Sequence, residues 1–418
     1  MRLLVLSHAL GYGGAEVSTL QFLKLLKDVY DIDVIVGSGA DTRFLSDLRV
    51  LGLRVVRVPV RRYRRGMISM EVERVKDIIR KVDAVWITHA EYPTAQRVKK
   101  IKEIPIIAHF RDYMLICPWW SACFGSQSIC MKRCSIQRII RCKQLKLDPL
   151  VTLGFFSRKK AMIYRWLYFV KGPIDFIKAF RSLTRNIEGI IKSIDGFIAV
   201  SKAMKNILIS HVPELTEKPF EVVYNPIDIP VDIVKFSIYN KNPSKMVVYA
   251  SGFNSAKGIH IFLQSVRFIA KEMPEVRIVI VGKYDEKLTN LIRKYNIEKY
   301  IQVVGFLPYR EILKLFAESQ VVTMPSIWPE PFGRIAAEAN MLGVPVVASR
   351  VGGLPEVVES GVTGFLVKPG DPEDLAEGVM KALTTKFDRE KIHRITAAKF
   401  DSIVAKNHFI HFLESFVG

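Results

Sequence analysis

Met324-Pro-Ser-Ile-Trp-Pro-Glu-Pro-Phe-Gly-Arg-Ile-Ala-Ala-Glu338 decides the fold of this chain and places two glutamates, Glu330 and Glu338, eight positions apart. Just before and into it, Val321 to Met324 is a β-branched, apolar run that predicts a short buried strand ending at Pro325. Ser326 to Pro331 is a proline-bearing polar and aromatic loop, and Gly333 to Leu342 is alanine-rich and predicts a helix. Strand, loop and helix start in that order place the backbone N–H groups of Phe332, Gly333 and Arg334 at a helix N-terminus, where partial positive charge favours a phosphate. Glu330 precedes the helix and Glu338 lies within it, a placement suited to gripping opposite ends of an elongated ligand such as a sugar nucleotide.

Glu330 to Glu338 fits an E-x7-E pattern. It continues as Met341-Leu-Gly-Val-Pro-Val-Val-Ala-Ser-Arg-Val-Gly-Gly-Leu-Pro-Glu356 and Gly361-Val-Thr-Gly-Phe-Leu-Val-Lys-Pro-Gly-Asp371. Two glutamates at that spacing are weak by themselves; the contiguous run from Pro325 to Asp371 resembles the retaining glycosyltransferases of family 4. The resemblance extends over nearly the whole chain except about residues 118–193. It implies an α/β protein of GT-B type, two Rossmann-like doubly wound domains facing a cleft. The implied boundaries are 1–228 for an acceptor-binding domain, 229–397 for a nucleotide-sugar-binding domain, and 398–418 for a helix crossing back.

By the same resemblance, Glu338 holds the donor ribose, Lys257 neutralises the departing diphosphate, and Glu330 supports the transferred sugar. Gly13, Gly14, Phe332, Gly333 and Arg334 complete the donor side. No metal and no cofactor are implied, and the partners are a UDP- or GDP-sugar and a glycan acceptor.

At 418 residues the chain exceeds what one core usually serves, which makes two domains the natural reading. Its 49% hydrophobic and 25% charged residues exclude a disordered chain. A net charge of +21 calls for an acidic partner: nucleic acid, anionic lipid or a phosphorylated substrate. The opening Met1-Arg-Leu-Leu-Val-Leu-Ser-His8 is too short an apolar run for a targeting core and predicts a first strand. No run reaches the roughly 18 apolar residues that span a bilayer, so the expectation is an intracellular protein not integral to the membrane.

Leu3 to Leu6, the turn Gly11 to Gly14 and a helix from about Ala15 to Lys27 give the strand, glycine loop and helix that let a phosphate or sugar approach the backbone. Strands are expected near Asp33–Val36, Val55–Val58, Ala84–Thr88 and Pro105–Ala108. Helices near Thr42–Leu51, Met70–Lys81 and Thr94–Lys100 separate them, and this alternation predicts a parallel sheet. His89 and His109 follow two of these strands, where such sheets present ligand-binding residues; histidines simply satisfied at strand ends are the plainer alternative. The resemblance assigns a functional histidine to this region. Because His109-Phe-Arg-Asp-Tyr113 replaces a direct His-Asp-Tyr, that role falls on His109 or Arg111, with Asp112 matched either way.

All five cysteines lie between 117 and 142, at spacings that fit no standard finger. A metal site and a disulfide or reduced loop both remain open. From 132 to 192 there are fifteen Lys and Arg against three Asp and Glu, a net +12, interleaved with aromatic residues. That is the composition of a segment lying in a lipid interface, each basic residue near an anionic surface contributing about 1 kcal/mol. It points to a lipid-linked or membrane-held acceptor and a peripheral position on the inner face of the cell membrane. No nucleic-acid-binding module is recognisable.

Strands expected at Ile194–Val200, Phe220–Val223, Met246–Ala250, Arg277–Val281 and Ile301–Val304 complete two sheets. In Ser251-Gly-Phe-Asn-Ser-Ala-Lys-Gly258, the resemblance expects an arginine where Gly252 stands. This departure makes a non-catalytic membrane or nucleic-acid adaptor on a degenerate transferase fold the alternative reading. Gly305-Phe-Leu-Pro-Tyr-Arg310 resembles the loop beside the nucleotide base. A helix beyond Asp371 to about Leu383 and an amphipathic one over Phe400–Phe416 close the chain.

Overall fold

The computed structural model describes residues 1–8, 13–62, 67–117, 123–124, 128–131, 187–240, 243–253, 255–282 and 285–417. The chain divides into two compact units: Met1–Val223 with Lys406–Gly418, and Tyr224–Ala405. The division falls at Val223 rather than at residue 228 because Tyr224 already belongs to the second unit. Its ring packs on Phe332 and Phe400, and its hydroxyl donates to Glu356 at 3.0 Å. Likewise Ile227 N–H donates to the Phe400 carbonyl at 3.0 Å. The return to the first unit begins at Lys406 rather than at 398.

In the first unit the main-sheet strands are β1 (Arg2–Ser7), β2 (Asp31–Gly37), β3 (Arg54–Val58), β4 (Ala84–Ile87), β5 (Ile106–Phe110), β6 (Gly196–Ala199) and β7 (Phe220–Val222). They pair in parallel in the order β7-β6-β5-β4-β1-β2-β3. Strands β1 and β4 are apolar without alternation, and Leu3 to Leu6 and Ala84 to Ile87 have no exposed surface. This is what a central parallel strand covered on both faces requires. Helix α1 (Gly14–Leu26) follows β1, and the Glu16 carboxylate accepts the Gly13 N–H at 3.0 Å, closing its first turn.

The second unit has β8 (Ser244–Tyr249), β9 (Arg277–Ile280), β10 (Ile301–Val303), β11 (Ser319–Met324), β12 (Val346–Ser349) and β13 (Gly364–Val367). Their order is β10-β9-β8-β11-β12-β13, all parallel. Its helices include α2 (Ile259–Glu272), α3 (Tyr309–Glu318), α4 (Arg334–Met341), α5 (Pro372–Thr384) and α6 (Arg389–Phe400). Both sheets therefore reverse their winding once, between β1 and β4 and between β8 and β11. Ligands of doubly wound sheets bind beyond the carboxyl ends of the strands flanking such a reversal.

One expected helix is different in the structure. Met70–Lys81 is instead the end of a strand, Ile68–Met70, then a 3-10 turn, Val72–Val75, and a short helix, Lys76–Ile79. Ile68–Met70 is drawn into an antiparallel pair with Val60–Arg62, and Met70 N–H donates to Thr94 Oγ1 at 3.0 Å. The last expected helix, Phe400–Phe416, is α7 (Ser402–Glu414); α6 before it was not expected, and Asp401 separates the two, leaving helical geometry and accepting the Ile403 N–H on its carboxylate at 2.8 Å. Among the described residues no helix is long and apolar enough to cross a membrane.

Candidate functional site

At the reversal point of the second unit, the loop leaving β8 ends in Gly258, whose φ is +75°. A Cβ there would lie 1.8 Å from the Pro325 carbonyl oxygen, so only glycine lets this loop rest on the start of the loop leaving β11. That contact brings Lys257 to Glu330. Lys257 Nζ donates to Glu330 Oε1 at 2.7 Å and Oε2 at 2.9 Å, and Oε1 also accepts from Ser326 Oγ and Trp328 Nε1, each at 2.6 Å. The ammonium lies 4.8 Å from the Trp328 ring centroid. Glu330 is 3% exposed, and its burial is tolerable because a counter-ion and two further donors satisfy it. The side chain of Lys257 remains 27% exposed, which leaves the ammonium open to an anion on its outer side.

Gly352 and Gly353 clasp the same loop by backbone. Gly353 N–H donates to the Glu330 carbonyl at 2.7 Å, and a Cβ on Gly352, at φ +56°, would meet the Glu330 backbone at 2.3 Å. Helix α4 starts from Gly333, at φ +101°. Glu338 Oε1 accepts from Tyr309 O–H at 2.8 Å and faces Arg334 Nε at 2.7 Å, while Arg334 Nη1 donates to the Pro226 carbonyl at 3.2 Å. Arg334 is thus committed to Glu338, and the Phe332 side chain to packing on Tyr224 and Phe400. Gly252 has φ +79° and nothing within 4 Å of a Cβ, and its carbonyl accepts the Tyr249 O–H at 2.7 Å.

The first-unit candidates form two pairs, Arg111 Nη2 with His109 Nδ1 at 3.5 Å and His89 with Asp112. His109 is corrected from a residue following a strand to one inside β5, with no exposed surface. Phe22 and Trp86 flank its ring at 5.8 and 6.1 Å, and burial, then Arg111, holds its pKa well below the usual histidine range. The ring thus packs among aromatic side chains of α1 and β4. Arg111 is buried and donates to the Ala15 carbonyl and to Thr19 Oγ1, which ties β5 to the first turns of α1 just after Gly13 and Gly14. His89 Nε2 lies 3.1 Å from Asp112 Oδ2, and Asp112 Oδ1 accepts the Met114 N–H at 2.8 Å. Cys117 and Cys130 are buried; Cys134, Cys142, Gly11 and the basic stretch 132–186 lie outside the described residues, as do the side chains from 121 to 129. Among the described residues no group of His, Cys, Asp and Glu is placed to hold a metal.

Glu91 escaped the sequence reading. It sits at the first unit's own reversal point, wholly buried, accepting the N–H of His8 past β1 and, at 3.1 Å, that of His89 past β4. The only sequence signal is a lone acid between a strand end and the apolar Tyr92-Pro93. Burial raises its carboxyl to about 7, against the lowering effect of His89 and the backbone donors. A pKa raised by folding gives stability that is complete below the unfolded value near 4.5 and declines as pH rises to about 7, by about 3 kcal/mol in all. Glu91→Gln cannot ionise. Denaturant titrations of both proteins from pH 4.5 to 8 are expected to show the wild type losing about that much relative to the variant; a difference constant with pH would contradict the assignment.

Residues 232–399 match the model of the family described as Glycosyl transferases group 1. That match falls wholly within the second unit, Tyr224–Ala405. Similar proteins include the spore coat protein SA of Bacillus subtilis, 28% identical over 38% of this chain and 44% of that protein. An uncharacterized glycosyltransferase of Methanocaldococcus jannaschii is 31% identical over 47% of this chain and 52% of that one. The chain thus spans about half the length of the curated relatives it matches. Among solved structures, Anabaena HepE in complex with UDP superposes with a TM-score of 0.67 at 20% identity, over 99% of this chain and 100% of that one. A Rickettsia africae glycosyltransferase gives 0.68 at 16% identity, over 100% and 98%. The fold is that of the two-domain Rossmann-like GT-B glycosyltransferases. In the second unit the reversal point holds both glutamates, Glu330 and Glu338.

Proposed function

We propose that the protein transfers a sugar from a nucleotide-sugar donor, a UDP- or GDP-sugar, to a glycan acceptor with retention of anomeric configuration and without a metal. The observation that carries the reading is the Lys257–Glu330 pair, placed with Glu338 at the reversal point of the second unit. In this reading the donor diphosphate meets the outer side of the Lys257 ammonium, and Glu338 takes the ribose. The bond from the anomeric carbon to the diphosphate oxygen breaks as the acceptor oxygen bonds on the same face, and the acceptor proton passes to the departing phosphate oxygen. Lys257 lowers the barrier by stabilising the charge that develops on that oxygen. Each nearby carboxylate already has a cation beside it, which limits its repulsion of the diphosphate.

Thermal unfolding with UDP, GDP, ADP and CMP tests this. One nucleotide is expected to stabilise the wild type, by about 2.7 kcal/mol at a hundred times its dissociation constant, and to lose that effect in Glu338→Ala. No shift with any of the four would count against a nucleotide donor. The acceptor is lipid-linked or membrane-held, a proposal supported by the basic aromatic composition of residues 132–192. Failure to co-sediment with anionic vesicles at moderate salt would reject it.

A further inference from the structure

Glu338 is held more tightly than its spacing from Glu330 required. The two groups that engage it come from different elements, and both address the same oxygen. Tyr309, first residue of α3, donates to Oε1 at 2.8 Å, and Arg334, one turn earlier on α4, faces Oε1 from 2.7 Å. Tyr309 and Arg334 also hydrogen-bond each other, so the three side chains form a closed triangle. Glu338 is 4% exposed, and Arg334 is anchored in turn by the Pro226 carbonyl. Burial first, and the Glu338 charge second, hold the Tyr309 hydroxyl well above its ordinary pKa, so it stays a donor at any working pH.

We infer that Tyr309 is a positioning residue that fixes the Glu338 carboxylate with Oε1 occupied and Oε2 presented as the single acceptor for a sugar hydroxyl of the nucleotide. This inference rests on the donor reading given above. The arrangement has two chemical consequences. Arg334 cancels the charge of Glu338, so the site accepts a hydroxyl without repelling the diphosphate of the same ligand. With its rotamer locked, the carboxylate cannot swing to a replacement partner when a hydroxyl is missing. A ligand lacking that hydroxyl then leaves a buried acceptor unpaired, which is how a site discriminates strongly against a deoxy analogue. The ribose selectivity of the domain therefore resides in Tyr309 as well as in Glu338.

The test is calorimetric binding of the nucleoside diphosphate that stabilises the wild type, and of its 2′-deoxy and 3′-deoxy analogues, to wild type and Tyr309→Phe. The variant is expected to bind the ribonucleotide roughly tenfold more weakly, the usual range for a lost hydrogen bond to a charged group. Its ratio of ribose to deoxyribose affinity is expected to shrink as Glu338 gains freedom, and in turnover KM for the donor rises while kcat at saturation is kept. Melting without nucleotide reports whether the variant is folded. If it is not, Tyr309→Met, which removes the donor while filling much of the ring's space, carries the same comparison. A folded variant with wild-type affinity and an unchanged ratio would overturn the role of Tyr309 while leaving the donor reading intact. A wild type that binds no nucleoside diphosphate would overturn both.

Discussion

Lys257→Met is expected to lower sugar transfer by at least about 100-fold, the range seen when one donor to a developing oxyanion is removed. It is also expected to reduce the stability of the second unit by about 3 kcal/mol, the lower end for breaking a buried ion pair, since the lysine is partly exposed. Both effects have one origin. Glu330 is 3% exposed and, among the described residues, keeps Ser326 and Trp328 as side-chain donors once the ammonium is gone. Denaturant unfolding and turnover then separate when Glu330→Gln is added. The double variant is expected to regain most of the stability, because no buried charge is left unpaired, and none of the transfer, because nothing faces the diphosphate. Recovery of transfer in the double variant would show that Lys257 serves only to neutralise Glu330.

Gly258→Ala is expected to cost more than about 3 kcal/mol, because a left-handed backbone strain of about 1–3 kcal/mol is joined by a collision with main chain. The methyl group would sit 1.8 Å from the Pro325 carbonyl oxygen, which can move only by shifting the end of β11 and the loop that carries Glu330. Gly252→Ala is the matched control. It has nearly the same φ, +79° against +75°, but open space around the added carbon, and is expected to show the strain alone. Urea midpoints for the two variants measure the difference. Equal midpoints would mean that the contact between Gly258 and Pro325 is not what joins the two loops.

The alternation of apolar runs with helical segments was enough to read two doubly wound sheets, because buried parallel strands such as Leu3–Leu6 and Val346–Ala348 are apolar without a break. Glu330, Glu338 and Lys257 were legible from local pattern and resemblance. Their pairing was not, since Lys257 and Glu330 lie 73 positions apart and meet only through the reversal of strand order and the missing side chain of Gly258. Tyr309 was visible as part of a loop but not as a partner of Glu338 for the same reason. His109 was misplaced because a polar residue suggests a strand end, whereas the strand continues through it to Phe110. Glu91 left almost no trace, because nothing in His89-Ala-Glu-Tyr92 reveals that two strand ends converge on its carboxylate.

Helix α7 begins among residues of the second unit and ends among those of the first. Phe409, with no exposed surface, fills the space against Phe22 and Trp86, and Glu414 accepts the Tyr30 hydroxyl at 3.0 Å. During synthesis, then, residues 1–223 leave the ribosome with a vacancy in their core that stays open until position 409 has emerged. A chain cut short after Ala405 would keep the second unit's residues whole and strip the first unit of the Phe409 and Glu414 contacts.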